Sequence, residues 1–188
     1  MSLIPVIIIL CIGYGAIFYL IHAIYSFIKG KCGQFAPYVP SVGESKAQML
    51  DWARQKLQSA SQSLTVVDLG SGTGSLLIPL AREFPQHRFI GLEWDSVPLL
   101  IAILKSLHLK NIEWHHQNFM DCSYAEADII FCYILKTMRE RIGKKLSQEI
   151  KSDCLVISEL YPVSELKLID SHKPKLGIGI PVYRFQKK

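Results

Sequence analysis

The chain has 188 residues, 49% of them apolar and 20% charged, with a net charge of +5 and a mean hydropathy of +0.22. This charge content excludes a wholly disordered chain and falls far short of a histone-like polycation. The five cysteines, Cys11, Cys32, Cys122, Cys132 and Cys154, form no CxxC pair and have no metal-ligand spacing with histidine. They fit reduced thiols in a cytosol-like compartment better than a disulfide framework or a zinc site.

The positive hydropathy has a local source, because no Asp, Glu, Lys or Arg precedes Lys29. The uncharged stretch Leu3–Ile28 would extend about 39 Å as a helix, against a hydrocarbon core of about 30 Å. A cleaved signal peptide would want basic residues ahead of a shorter apolar run, whereas Lys29 and Lys31 follow this one. A buried core helix would want a polar face, which Val6–Leu10 lacks. Residues 1–28 are therefore expected to form an uncleaved transmembrane anchor that contacts the bilayer through residues 3–28. The positive-inside bias of Lys29 and Lys31 then places the remainder on the cytoplasmic side of a single-pass protein.

Residues 29–40 (KGKCGQFAPYVP) read as a linker and lead-in loop, and residues 41–188 as the functional domain. Ser41 and Glu44 have the spacing of a capping box, opening a helix through Met49, Trp52, Ala53 and Leu57. Strands and helices then alternate. Strands are expected at Leu64–Leu69, Arg88–Glu93, Asn111–His115, Ala127–Ile134 and Cys154–Ser158. Helices are expected at Ser75–Phe84, Val97–Leu107 and Thr137–Ile150, and a closing antiparallel pair at Leu166–Ile169 and Val182–Gln186. The alternation implies an α/β fold with a mostly parallel sheet covered on both faces. Ligands of such sheets sit beyond the carboxyl ends of the strands.

The first strand runs into Asp68-Leu69-Gly70-Ser71-Gly72-Thr73-Gly74. Glycines at alternate positions allow a tight turn and a close approach of ligand to backbone. Asp68 ahead of them disfavours a pyrophosphate and suits a zwitterionic or cationic ligand, which separates this loop from a dinucleotide-binding one. Glu93 ends the second strand, roughly 20 residues on, where a carboxylate can accept both hydroxyls of a ribose. Asn118, after the third strand, offers donor and acceptor to an adenine edge, with Phe119 beside it to pack on the ring. Each has a plainer alternative: Glu93 as a solvated carboxylate, Asn118 as a turn former.

Val66–Gly74 (VVDLGSGTG) together with Gly91–Asp95 (GLEWD) resembles the class I S-adenosylmethionine-dependent methyltransferases. The resemblance implies a Rossmann-like seven-stranded sheet, mostly parallel with an antiparallel last strand. It implies S-adenosyl-L-methionine as cofactor. Gly70, Ser71, Gly72 and Gly74 would lie by the methionine moiety, Asp68 beneath its ammonium, Glu93 on the ribose, and Asn118 and Phe119 by the adenine. The apolar N-terminus, then Pro37-Tyr38-Val39-Pro40-Ser41, is similar to the small membrane-anchored protein-lysine methyltransferases. Those include enzymes acting on the ATP synthase c-subunit and the adenine nucleotide translocase. Thr73, Asp95, Asn118 and Lys136 depart from that group's usual residues. The narrower resemblance implies a lysine of a membrane protein as acceptor. Methylation of a lipid or another small molecule, and a catalytically silent binding module, are the alternatives.

On the acceptor side, Tyr38 and Tyr133 are candidates to orient an amine, with core packing as the plainer reading of Tyr133. His115 and His116 are weaker candidates for a base. Arg139, Arg141, Lys144, Lys145 and Lys151 form a basic helix that reads either as a lipid-facing surface or as a solvated face. No basic stripe interleaved with aromatics appears, so no nucleic-acid partner is expected.

Overall fold

The computed structural model describes residues 41–133, 135–175 and 180–188, together with Gly13, Ile17, Leu20 and Ile24. The chain divides into two compact units, Met1–Val39 and Pro40–Lys188. In the first unit the four described residues are helical, and Ile17, Leu20 and Ile24 are exposed. No helix among the described residues is long and apolar enough to cross a membrane. The expected anchor, the linker over 29–40 and Tyr38 otherwise lie outside the described residues.

The second unit is built on one sheet. Its elements in chain order are α1 (Gly43–Gln58), β1 (Thr65–Leu69), α2 (Leu77–Glu83), β2 (Arg88–Glu93), α3 (Ser96–Ser106) and β3 (Ile112–His116). A single 3-10 turn (Phe119–Asp121) then leads to β4 (Ile129–Tyr133), α4 (Arg139–Glu149), β5 (Leu155–Glu159), β6 (Lys167–His172) and β7 (Val182–Gln186). The strand order is β3-β2-β1-β4-β5-β7-β6. β1 to β5 run parallel, and β7 lies antiparallel between β5 and β6. This is the Rossmann-like methyltransferase sheet that the resemblance implied. The order reverses between β1 and β4, so a crevice opens there at the carboxyl edge.

Side chains alternate across a strand, and the sequence of each central strand is apolar on both faces. Val66, Phe89, Ile129, Phe131, Leu155 and Ile157 fill one side, against Met49, Trp52, Ala53 and Leu57 of α1 and Leu77, Leu80 and Ala81 of α2. Val67, Leu69, Leu92, Ile130, Cys132 and Val156 fill the other, against Ile142 and Leu146 of α4. The register carries this parity to the strand ends. Asp68 pairs with Gly91 and Phe131, Tyr133 with Glu159, and Glu93 lies two residues beyond Gly91. Asp68, Glu93, Tyr133 and Glu159 therefore share the face covered by α1 and α2.

Two expectations of local structure fail. Ser41 and Glu44 do not close a capping box: Val42 occupies the N-cap position without a side-chain bond. The Ser41 hydroxyl instead donates to Glu159, far along the chain. Glu44 accepts from His172 Nε2 at 3.0 Å and from the Lys175 amide at 3.1 Å. Long-range partners thus outcompete the local ones. The helix expected from Ser75 starts at Leu77, because Gly72 to Leu76 are spent on the turn.

Candidate functional site

The loop after β1 keeps pairing with β2 after the strand itself has ended. The amides of Gly70 and Ser71 both donate to the Leu92 carbonyl, at 2.8 and 3.0 Å. The chain then turns through three left-handed glycines, Gly70 (φ 84°), Gly72 (φ 54°) and Gly74 (φ 76°), a conformation that a Cβ would penalise. Their uses differ. A Cβ on Gly70 would meet open space, whereas one on Gly74 would lie 2.7 Å from both Ile78 and the Trp114 ring. Gly70 thus leaves backbone accessible to a ligand, and Gly74 is small for packing.

Glu93 is the strut of the site. Its Oε2 accepts from the Gly72 amide at 2.8 Å and its Oε1 from the Asp95 amide at 2.7 Å. The carboxylate is buried, the Trp94 amide also bears on it, and of its roughly four lone-pair sites one remains for a ligand hydroxyl. Burial raises its pKa, and those backbone bonds oppose the rise. Asp68, fully enclosed, is pushed up to about 8 by burial first and then by the neighbouring Glu93 and Glu159. Among the described residues no cation bears on it, so an arriving cation would favour its ionised form.

The Ser71 hydroxyl is buried and has no hydrogen-bond partner among the described residues. An orphaned hydroxyl, an open approach over Gly70, the buried Asp68 carboxyl group and the Glu93 carboxylate together fit a ligand carrying positive charge, polar groups and a ribose. Ser71, Asp68 and the loop glycines would hold the charged amino-acid end of S-adenosyl-L-methionine, and Glu93 its ribose.

Asn118 and Phe119 both have local partners. Asn118 Oδ1 accepts from the Met120 amide at 3.0 Å and so caps the 3-10 turn. Phe119 packs against the apolar cluster of the α4 face, and its carbonyl accepts from the Tyr124 hydroxyl. The Asn118 amide nitrogen and the second lone pair of its Oδ1 are left over for an adenine edge. His115 faces Glu113 at 3.6 Å on an exposed edge, and His116 Nε2 bonds the Trp94 carbonyl at 2.6 Å. Both histidines act in structure. Tyr133 is half-buried at the end of β4, its phenol raised by burial and then by Glu159 and Tyr161.

Two residues escape a reading along the sequence. Trp114 of β3 lies across β2, where a Cβ on Gly91 would come within 2.3 Å of its ring, and its indole N–H donates to Ser106 at 2.8 Å. The glycine inside an otherwise bulky strand was the available signal. Glu159 ends β5 buried, 1% exposed, with the Ser41 hydroxyl as its hydrogen-bond donor. Burial raises its pKa, which that hydroxyl opposes. A carboxyl group at a strand end was visible, but its burial beside Asp68 was not.

A seven-stranded sheet of this order, with an acid-fronted glycine loop after β1 and an acid ending β2, defines a class I S-adenosylmethionine-dependent methyltransferase. The family model described as the ANTKMT methyltransferase domain matches residues 68–170, more than half of the chain, and the chain belongs to that family. A protein-lysine N-methyltransferase of Saccharolobus islandicus (strain REY15A) is 27% identical over 136 residues, 68% of this chain and 78% of that protein. A 2-phytyl-1,4-naphtoquinone methyltransferase of Thermosynechococcus vestitus is 39% identical over 70 residues, 37% of this chain and 29% of that one. Among solved structures, an RNA methyltransferase from Salinibacter ruber in complex with S-adenosyl-L-homocysteine superposes with a TM-score of 0.68 at 20% identity. That match covers 80% of this chain and 95% of the other, and it shows the fold.

Proposed function

We propose that the protein is a membrane-anchored, S-adenosylmethionine-dependent methyltransferase acting on a lysine of a membrane-associated protein. The observation that carries the reading is the shared face of Asp68, Glu93, Tyr133 and Glu159 at the carboxyl edge, with cofactor-side acids on β1 and β2 and acceptor-side groups on β4 and β5. The lysine acceptor is supported by the named activity of the Saccharolobus islandicus relative. The anchor is supported by the uncharged stretch Leu3–Ile28 followed by Lys29 and Lys31, which places the domain on the cytoplasmic side.

The cofactor supplies an activated methyl group on a sulfonium, so the protein's contribution is chiefly positioning, worth roughly 7–11 kcal/mol of barrier in well-oriented cases. The turn from Gly70 to Gly74 and the Glu93 strut fix one reactant without further reorganisation. On the other side a lysine ammonium, with an ordinary pKa of about 10.4, must shed a proton before its nitrogen can attack. Glu159 is a buried carboxyl group with no ion pair among the described residues. It attracts the ammonium and, with its pKa already raised, receives that proton. Tyr133, paired across from it in register, orients the amine through its ring and hydroxyl. Tyr38 and Asn118 are kept as acceptor-side and adenine-side candidates.

The test is transfer of a radiolabelled methyl group to a membrane extract, with protein and lipid fractions counted separately. Label is expected in protein, on lysine, and lost in Glu93→Ala. Label confined to the lipid fraction would overturn the lysine acceptor. That outcome would favour an apolar small molecule, the alternative supported by the naphthoquinone methyltransferase relative.

A further inference from the structure

Among the described residues, large apolar side chains are exposed at Val42, at Leu168 and Ile169 of β6 and, in greatest number, along α3. The sequence Ser96–Lys110 (SVPLLIAILKSLHLK) contains no carboxylate, and the inward side of its helix is filled by Pro98, Leu99, Ala102 and Ser106. Those residues already satisfy its packing on β2, β3 and α2. The outward side is nevertheless apolar. Leu100, Leu104 and Leu107 are 56%, 59% and 73% exposed, and Trp94, 48% exposed, stands at the head of the helix next to Glu93. Val97 and Ile101, half-buried, lie between them. Spacings of three and four residues put this set on one stripe of a helix with 3.6 residues per turn. A contiguous exposed stripe of this kind marks an interaction surface rather than random exposure.

We propose that the α3 stripe is a second membrane contact, seated in the headgroup layer of an anionic bilayer. Three features select lipid as the occupant. Lys105, His108 and Lys110 are exposed beside the stripe with no acid between Ser96 and Lys110, the charge pattern that draws a helix onto anionic lipid. Trp94 supplies an aromatic at the end of the stripe, as interfacial segments do. The same chain carries the uncharged stretch Leu3–Ile28, so on the reading above the domain is already held within reach of a bilayer, where a weak surface contact becomes effectively intramolecular. Trp94 follows Glu93 directly, so this contact would bring the rim of the cofactor site against the membrane, where an acceptor side chain emerges from the bilayer.

The test uses the full chain reconstituted in phosphatidylcholine vesicles with and without phosphatidylglycerol, some carrying a spin label high on the acyl chain. Trp52 is buried and Trp114 half-buried, so the expected lipid quenching of tryptophan emission belongs to Trp94 and disappears in Trp94→Phe. The combined Leu100→Glu, Leu104→Glu and Leu107→Glu variant should keep its thermal unfolding and cofactor binding while losing the quenching. Lys105→Glu with Lys110→Glu should lower quenching several-fold in anionic vesicles and leave it unchanged in neutral ones. Emission that is unquenched in the parent chain, or quenching that survives the triple variant, overturns the proposal. So does an unquenched stripe that cross-links two copies of the chain. Resistance to alkaline carbonate extraction reads the anchor separately: an extractable chain whose Trp94 is still quenched keeps the surface contact and loses the anchor.

Discussion

The two halves of the carboxyl edge are built differently. At β1 and β2 the site is backbone tied to backbone and to one carboxylate: Gly70 and Ser71 to Leu92, and Gly72 and Asp95 to Glu93. At β4 and β5 it is side chains: Tyr133, and a Glu159 held by the hydroxyl of Ser41 from the start of the domain. The chain leaves β5 through Leu160 in a left-handed conformation (φ 80°), and Ser158 bonds the Tyr161 carbonyl at 2.6 Å. A backbone cradle suits a ligand that never changes. A side-chain wall suits an acceptor that differs between relatives. On the function proposed above, the first half sets cofactor affinity and the second acceptor choice, and substitutions should separate the two.

The largest effect is expected at the strut. Glu93→Ala removes the ribose's hydrogen bond to a charged acceptor, worth about 1.5–3 kcal/mol, or roughly one to two decades in cofactor Kd. It also strands the Gly72 and Asp95 amides, so calorimetric binding should vanish and thermal unfolding should fall. Gly91→Ala attacks the same half through packing: its Cβ would meet the Trp114 ring at 2.3 Å and Ser71 Oγ at 2.8 Å. Overpacking there should cost about 1–3 kcal/mol of stability in denaturant titration. The opposite half should respond otherwise. Glu159→Gln should lower kcat/KM for the protein acceptor on the order of 100-fold while changing cofactor Kd far less, through the minor part Glu159 plays in raising Asp68. A parallel loss of cofactor binding would abolish the distinction between the halves.

The cofactor half was legible along the chain because its signal is local: glycines at alternate positions, an acid before them and an acid at the next strand end. The acceptor half was not, because its parts meet only in the folded sheet. Ser41 reads as a helix cap until β5 brings Glu159 beside it, and Glu44 until β6 brings His172. Asn118 keeps a local partner instead. Its side chain satisfies a backbone amide two residues on, the local competition that asparagine commonly wins. The Arg139–Lys151 run was readable both ways, and the Lys144–Glu140, Lys145–Glu149 and Lys151–Asp128 ion pairs partner three of its cations within the domain.

The buried acids make the comparison sensitive to pH. Asp68 has a folded-state pKa of about 8 against 3.8, and Glu93 and Glu159 shift in the same direction, burial first in each case. Between those values the folded chain holds protons that the unfolded chain has released, so stability falls as pH rises from about 4 to about 8. Unfolding of the detergent-solubilised, cofactor-free chain should show this slope, and Asp68→Asn should flatten it. A cationic ligand favours ionised Asp68, so cofactor binding should tighten over the same interval in the parent chain and not in the variant.

The smallest effect, and the finest test of the acceptor wall, is at Tyr133. Its raised phenol pKa keeps it neutral at physiological pH, so it contributes a hydroxyl donor and a ring face but no base. Tyr133→Phe removes only the hydroxyl bond, about 0.5–1.5 kcal/mol, which predicts a roughly two- to ten-fold rise in acceptor KM with kcat little changed. Tyr133→Leu also removes the ring, and with it a cation–π contact of about 0.5–2 kcal/mol toward an ammonium. A Leu variant no worse than Phe would make the ring mere packing. A kcat loss in Phe with KM unchanged would move Tyr133 from orienting the amine to assisting the departure of its proton, and Glu159 would then have to share that task.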